Sequence, residues 1–326
     1  MPEITVLMAV HNDERYIEKA TVSILHQTFR DFEFLVIDDA SKDNTKDIIN
    51  SFADPRIKIL TNRKSIGLTR SLNMGLQRAQ GQYIARMDGD DVSYPARLEK
   101  QIAFLKSNPA CGLVGTGYQT IDEQGWPLDE GRIYDADLDL KEALKVTNQF
   151  AHSSVMFPKK VITTVGAYRD IFRFAQDYDL FLRISEKFAV ALIPEIMLER
   201  RLCLDSASLK HKILQDRFAQ MARECAKQRN ESGSDFVDKV GEELSENDAL
   251  NVIRRSLSNL EKYSMMAENY FSWALYFKNN SNGHAHRTGY TIKLLIKSLL
   301  ANPRVFLGLA CGHLIHLIGR LVSPKR

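Results

Sequence analysis

Cysteine is scarce, with four residues in a chain of 326. Cys111, Cys203, Cys225 and Cys311 form no CxxC pair and no Cys/His cluster, which excludes a disulfide framework or a structural zinc site as the organising feature and points to a reducing, cytoplasmic compartment. No basic stretch precedes the first apolar run: MPEITVLMAVHNDE meets charge at Asp13 and Glu14, unlike a signal peptide, so the chain is expected not to be exported. An excess of one charge is missing too. The 44 Lys and Arg against 41 Asp and Glu leave +3, so the composition carries no nucleic-acid footprint and no nucleic-acid partner is expected. Internal repeats and low-complexity tracts are absent, which excludes a solenoid.

What is present is a chain with 44% hydrophobic residues, long enough to bury a substantial core in one large domain with an appendage or in two modest domains. Residues 4–10 are a short apolar run rich in branched side chains, ended by the turn-forming His11-Asn12-Asp13, as a buried strand would be. Ile17, Ala20, Ile24 and Leu25 then recur at helical spacing, and residues 34–37 return to a continuous apolar run. The alternation continues with a helix over 45–52, a strand over 57–60, a helix over 68–79 and a strand over 83–87. This predicts an α/β fold, Rossmann-like, with a mostly parallel central sheet covered by helices. Ligands in such sheets bind beyond the carboxyl ends of the strands. Three polar clusters fall there: His11-Asn12-Asp13, Asp38-Asp39 and Asp88-Gly89-Asp90-Asp91. Beyond Arg200, helix-compatible segments around 209–229 and 249–277 flank the polar stretch NESGSD. A boundary near Asp205 follows, dividing a catalytic domain, 1–205, from a helical C-terminal region, 206–326.

The strongest local signal is MDGDD, residues 87–91, where a strand-like YIARM run delivers three carboxylates into a turn. Carboxylates this close repel unless a proton, a basic residue or a metal intervenes, and magnesium or manganese commonly bridges one or two carboxylates to substrate phosphates. The same residues also suit an acidic turn in which Asp91 or Ser93 caps the segment leading into Pro95 and Arg97. Asp38 and Asp39 are open to two readings as well: turn formation with Ser41 or Asp43 as a helix cap, or hydrogen bonding to a base or ribose.

Together these clusters resemble the inverting glycosyltransferases of family 2, whose amino-terminal half has the nucleotide-sugar-binding GT-A fold, and specifically those of bacterial surface-polysaccharide synthesis. The resemblance runs through ITVLMAVHNDERYIEKATVSILHQTFRDFEFLVIDDASKDNT, GLTRSLNMGLQRAQGQYIARMDGDDVSYPARLEKQ, HSSVMF and QDYDLFLRI, about residues 2–190. It implies a metal-dependent enzyme of the hexosyltransferase type. The base pocket would be lined by Ala9, Val10, His11 and Asp39, and Asp88 and Asp90 would match the DxD motif that holds Mn or Mg and the donor diphosphate. Asp91 would share ribose or metal contacts. Arg70 and Asn73 would border the donor site, and His152 would sit near the donor and acceptor, although each also suits a structural role. FAQDYDLFLRI resembles the ED motif with Gln176 in place of Glu, which would pass the general-base role to Asp177, with Asp179 less favoured. Read without the resemblance, Asp177 and Asp179 are first-turn carboxylates suited to a helix dipole.

No Asp or Glu follows Glu268, while Lys278, Arg287, Lys293, Lys297, Arg304, Arg320, Lys325 and Arg326 accumulate. The run VFLGLACGHLIHLIG, residues 305–319, is shorter than the roughly 20 residues of a spanning helix. At helical spacing His313, His316 and Arg320 share one stripe, so helices near 290–322 would lie in a membrane interface or pack on another part of the protein. The expected partners are therefore a nucleotide-sugar donor, UDP by resemblance, a glycan or lipid-linked acceptor, and the cytoplasmic face of an inner membrane; the sequence sets no oligomeric state. Two competing readings are weaker. A nucleotidyltransferase would need a glycine-rich, Arg-containing loop near the N-terminus that MAVHNDERY does not supply, and a non-catalytic nucleotide-sugar-binding or membrane scaffold subunit would not need the whole carboxylate set.

Overall fold

The structure, a computed structural model, describes residues 1–129, 138–203 and 212–240, with residues 131, 133, 295 and 298 besides. Strands β1 (Ile4–Val10), β2 (Phe32–Asp38), β3 (Ile57–Thr61) and β4 (Tyr83–Met87) alternate with helices α1 (Ile17–Leu25), α2 (Thr45–Asn50) and α3 (Leu68–Arg78). Next come β5 (Val92–Ser93), α4 (Arg97–Ser107), β6 (Cys111–Ile121), α5 (Leu140–Val146), a short 3-10 turn (His152–Ser154), β7 (Met156–Pro158) and α6 (Lys160–Val165). Helix α7 (Gln176–Lys187), strand β8 (Ala189–Arg201), helix α8 (Lys212–Ser232) and helix α9 (Phe236–Val240) complete the described elements.

The strands form one sheet in the order β3-β2-β1-β4-β7-β6-β8-β5. The β3-β2-β1-β4 half is wholly parallel, as predicted, and β6 and β8 are parallel as well. β7 runs antiparallel to both its neighbours, and β5 antiparallel to β8. The apolar run in β1 is continuous because both its faces are covered. Ile4, Val6, Met8 and Val10 join one core with α1 and α4, while Leu7 and Ala9 join a second core with α3 and α7. Full burial of a side chain of this size contributes about 1.5–3 kcal/mol. Register brings the strand ends level: Val10 pairs with Asp38, and Met8 with Met87. The polar clusters after β1, β2 and β4 therefore emerge at one edge.

Helix α8 is not peripheral, since Phe218, Ala222 and Cys225 are fully buried in the core that contains α7. It runs three residues into the NESGSD stretch, ending at Ser232. The expected boundary near Asp205, the helix over 249–277 and, apart from residues 295 and 298, the basic segment near 290–322 lie outside the described residues. Among the described residues, no helix is long and apolar enough to cross a membrane.

The expectation of a cap at Asp91 or Ser93 does not hold. Ser93 belongs to β5, where its hydroxyl accepts from Arg97 Nε (2.7 Å) and Gln27 Nε2 (3.1 Å), and Asp91 accepts the Arg201 backbone N–H (2.8 Å). Pairing with β8 takes up the segment that would otherwise have begun a helix. The cap expected of Ser41 or Asp43 is not found either: the N-cap position of α2 is Asn44, without a side-chain cap bond, although Asp43 Oδ1 accepts the backbone N–H of Thr45 at 3.1 Å.

Candidate active site

A cavity of about 1000 Å³ opens over the carboxyl ends of the parallel strands. It is lined by His11, Asp39 and the segment from Ser65 to Thr69, by Asp88, Asp90, Asp91 and His152, and by Asp177 with residues of β8 and α8. The three non-glycine residues with positive φ among those described all flank it: Asn12 beside His11, Ala40 beside Asp39, and Ala175 ahead of α7. Such backbones cost about 1–3 kcal/mol each and concentrate where side chains are held for function.

Asp39 is saturated. Its carboxylate accepts from Asn62 Nδ2 (2.7 Å), Ser65 Oγ (2.8 Å) and the backbone N–H groups of Ile66 (2.9 Å) and Gly67 (2.9 Å). Burial raises its pKa, but these bonds outweigh it and hold the group below the usual carboxylate range. Asp39 thus builds the 62–67 loop into the cavity wall. His11 Nδ1 lies 2.7 Å from the Asp39 carbonyl, which joins the ends of β1 and β2.

The carboxylates after β4 have divided environments. Asp88 accepts from Arg86 Nη2 through one oxygen and from Ser153 Oγ (2.7 Å) through the other. Burial raises its pKa, yet the charge of Arg86 and the bonds from Ser153 and Arg86 bring it below its ordinary value. Arg86 is completely buried, and its Nε and Nη1 have no acceptor. Asp91 is buried and pushed up to about 6 by desolvation and by the charge of Asp88. Asp90 receives no hydrogen bond from another side chain or backbone N–H among the described residues. Desolvation, then repulsion from Asp91, Asp88 and Asp13, drives its pKa well above the ordinary carboxylate value. Asp13, at the end of β1, belongs to the same field and is raised to about 6, chiefly by burial.

Such a cluster is short of positive charge. Among the described residues no three His, Cys, Asp or Glu side chains form a ready-made cage. A magnesium-type ion needs less, commonly one or two carboxylates with water and substrate phosphates. The hard oxygen donors and the uncompensated Asp90 fit such an ion.

Asp177 occupies the first turn of α7 and accepts from Asn148 Nδ2 at 3.0 Å. Burial is the main cause that raises its pKa to about 6, and Asp88 adds to it. Asp179 points elsewhere: fully buried, it is paired with Arg169 and, at 2.9 Å, with Arg183. His152 Nε2 lies 2.9 Å from the Tyr168 hydroxyl, and burial followed by the Arg86 charge lowers its pKa to about 3, so it is neutral.

Some expected residues stand apart from the cavity. Ala9 and Val10 are buried in β1 and do not line it. Arg70 pairs with Asp170 (2.9 Å) and Asn73 holds the backbone of Tyr168 (2.7 and 3.0 Å), so both fasten α3 to the segment that carries Tyr168. Residues not singled out from sequence include Arg86, Asn148, Ser153 and Arg200. A charged Arg86 inside the apolar run YIARM was the one legible signal among them.

The fold and this cavity define a glycosyltransferase of the GT-A class. The description "Glycosyl transferase family 2" matches residues 5–163. Escherichia coli O-antigen biosynthesis glycosyltransferase WbnJ is 38% identical over 187 residues, 56% of this chain and 71% of its own length. Among solved structures, S. aureus TarS 1-349 in complex with UDP-GlcNAc superposes with a TM-score of 0.54 at 15% identity, over 94% of this chain and 83% of that one. Mannosyltransferase PcManGT from Pyrobaculum calidifontis, in complex with GDP-Man and Mn2+, gives 0.51 at 17% identity over 92% and 88%. The chain belongs to glycosyl transferase family 2.

Proposed function

We propose that the protein is an inverting transferase that moves a sugar from a nucleoside-diphosphate donor, UDP by default, to a hydroxyl of a lipid-linked glycan during polysaccharide assembly at the cytoplasmic face of a membrane. The observation that carries this reading is the separation of labour inside one cavity: an uncompensated Asp90 in a carboxylate cluster, and Asp177, half-buried and raised to about 6, on a separate element lining the same cavity. Asp90, with Asp88, would hold a divalent cation, Mn or Mg. When bound, the cation supplies charge neutralisation for the departing diphosphate. Asp91, clamped by Arg201, keeps the turn in place. His11 and the loop organised by Asp39 form the surface for the base. His152 stays neutral where it lines the cavity, held by the buried Tyr168, while Arg70 and Asn73 act from behind through the segment they fasten. Asp177 accepts the proton of the acceptor hydroxyl, whose oxygen attacks the anomeric carbon from the face opposite the diphosphate. That bond forms as the bond to the diphosphate breaks, so the configuration inverts. Residues 1–205 would make up the catalytic domain, and 206–326 a helical region whose basic end would meet anionic lipid headgroups.

The role of WbnJ in O-antigen biosynthesis supports the acceptor class, and the ligands of the TarS and PcManGT complexes support the donor and the cation. The test is calorimetric titration of UDP, GDP and dTDP with and without manganese. One nucleotide should bind in a metal-dependent way, lose that binding in Asp90→Asn, and keep it in Asp177→Asn. Absence of binding by all three would reject the reading in favour of a scaffold subunit. Product stereochemistry by NMR tests inversion independently.

A further inference from the structure

We propose that Arg200 is a second, protein-borne cation for the donor's diphosphate, standing beside the carboxylate cluster, where its charge is felt by Asp91; this rests on the nucleotide-sugar reading above. Arg200 lies near the end of β8, paired in register with Thr120 of β6. Its guanidinium carbon sits 4.6 Å from the centroid of the Tyr118 ring, and both side chains line the cavity that holds Asp88, Asp90 and Asp91.

What distinguishes Arg200 is its state of employment. Arg97 donates to Ser93 and to the carbonyls of Arg86 and Ser153, and Arg201 donates to the carbonyls of Asp90 and Asp122. Arg86 lies buried against Asp88. Arg200 makes no hydrogen bond and no ion pair among the described residues, although it is half-buried. Its charge is felt by Asp91, but a guanidinium kept partly out of water with none of its N–H groups bonded is costly unless an acceptor arrives with the substrate. Stacking on Tyr118 fixes the plane of the group while leaving its N–H fork unused, and that fork matches the spacing of phosphate oxygens. A base or a neutral sugar would have no use for the charge. A diphosphate would, because it must approach a wall carrying several carboxylates.

The experiment compares wild type, Arg200→Gln and Arg200→Lys. UDP, GDP and dTDP are titrated by calorimetry with manganese, and the parent nucleoside of whichever binds is titrated by ligand-observed NMR. Arg200→Gln should weaken the diphosphate about ten- to hundredfold while leaving the nucleoside within twofold. Arg200→Lys should recover part of the loss, and melting temperatures should be unchanged. Undiminished diphosphate affinity in Arg200→Gln overturns the assignment. So does an equal weakening of nucleoside and diphosphate, which would mark Arg200 as a support for the cavity wall. Failure of the donor reading itself is visible separately, because wild type would then bind none of the three nucleotides, and the Arg200 assignment would fall with it.

Discussion

Replacing Asp177 by Asn should slow turnover severely and, at the same time, stabilise the fold. Burial raises the Asp177 pKa from 3.8 to about 6, a shift of about two units, equivalent to about 3 kcal/mol against the ionised form. The side chain is only half-buried, so a discounted figure of about 1–3 kcal/mol is appropriate. The sign follows from proton counting. Between pH 4 and 6 the folded state binds more protons than the unfolded chain, so stability is greatest below pH 4, declines as pH rises through 6, and is level above that. Asp177→Asn removes this penalty. Without divalent cation at pH 8 it should melt roughly 2–6 °C above wild type, and the difference should vanish near pH 4. Turnover should fall about 10²–10⁴-fold through loss of the base. In wild type the rate should drop about tenfold per unit of pH below 6. Asn148→Ala should move that break upward by roughly half to one unit, because the amide favours the ionised carboxylate. The assays are calorimetric melts across pH and initial rates with the nucleotide sugar identified by binding. An Asp177→Asn variant that turns over at the wild-type rate, or melts lower than wild type at pH 8, would refute the reasoning.

Three further outcomes are expected. Asp235 is fully buried and bonded to Arg169 (2.7 Å) and Arg229, so Asp235→Ala should cost about 3–5 kcal/mol in denaturant titration by stranding buried cations. Glu33 accepts from Thr5 (2.6 Å), Lys58 (2.7 Å) and Gln80 N–H (2.6 Å); burial raises its pKa, but these bonds bring it below 4.5. Its stabilisation is present above the unfolded pKa and lost as pH falls through the folded one, so Glu33→Gln should cost about 1–2 kcal/mol at pH 7, with the deficit closing below pH 4. A Cβ added at Gly81 would stand 2.3 Å from the backbone N of Thr5, and because backbone cannot swing aside, Gly81→Ala should lower stability by about 2 kcal/mol or more in the same titration.

The alternation of apolar runs and helical spacing was legible because it follows from burial on both faces of a parallel sheet. It located β1 and β4 to the residue and the other early elements to within two. The positions of Asp39, Asp88, Asp90 and Asp177 were also legible, since carboxylates after apolar runs or at a helix start stand out locally. Sequence could not say which of them is already satisfied. Asp39 is bound by a loop some 23 to 28 residues away, Asp88 by Ser153, and Asp179 by Arg169. Those partners meet only when strands pair, so their effect on charge is a tertiary property. The same holds for β7, which reverses direction in the sheet, and for α8, whose apolar face reaches the cavity core. Local sequence determined the strands, the helices and the edge at which acids gather, because those depend on side-chain periodicity over a few residues. Tertiary structure alone decided which acid is left uncompensated, which has its pKa raised to about 6, and which arginine carries no ion pair among the described residues, because desolvation and ion pairing depend on groups distant in the chain.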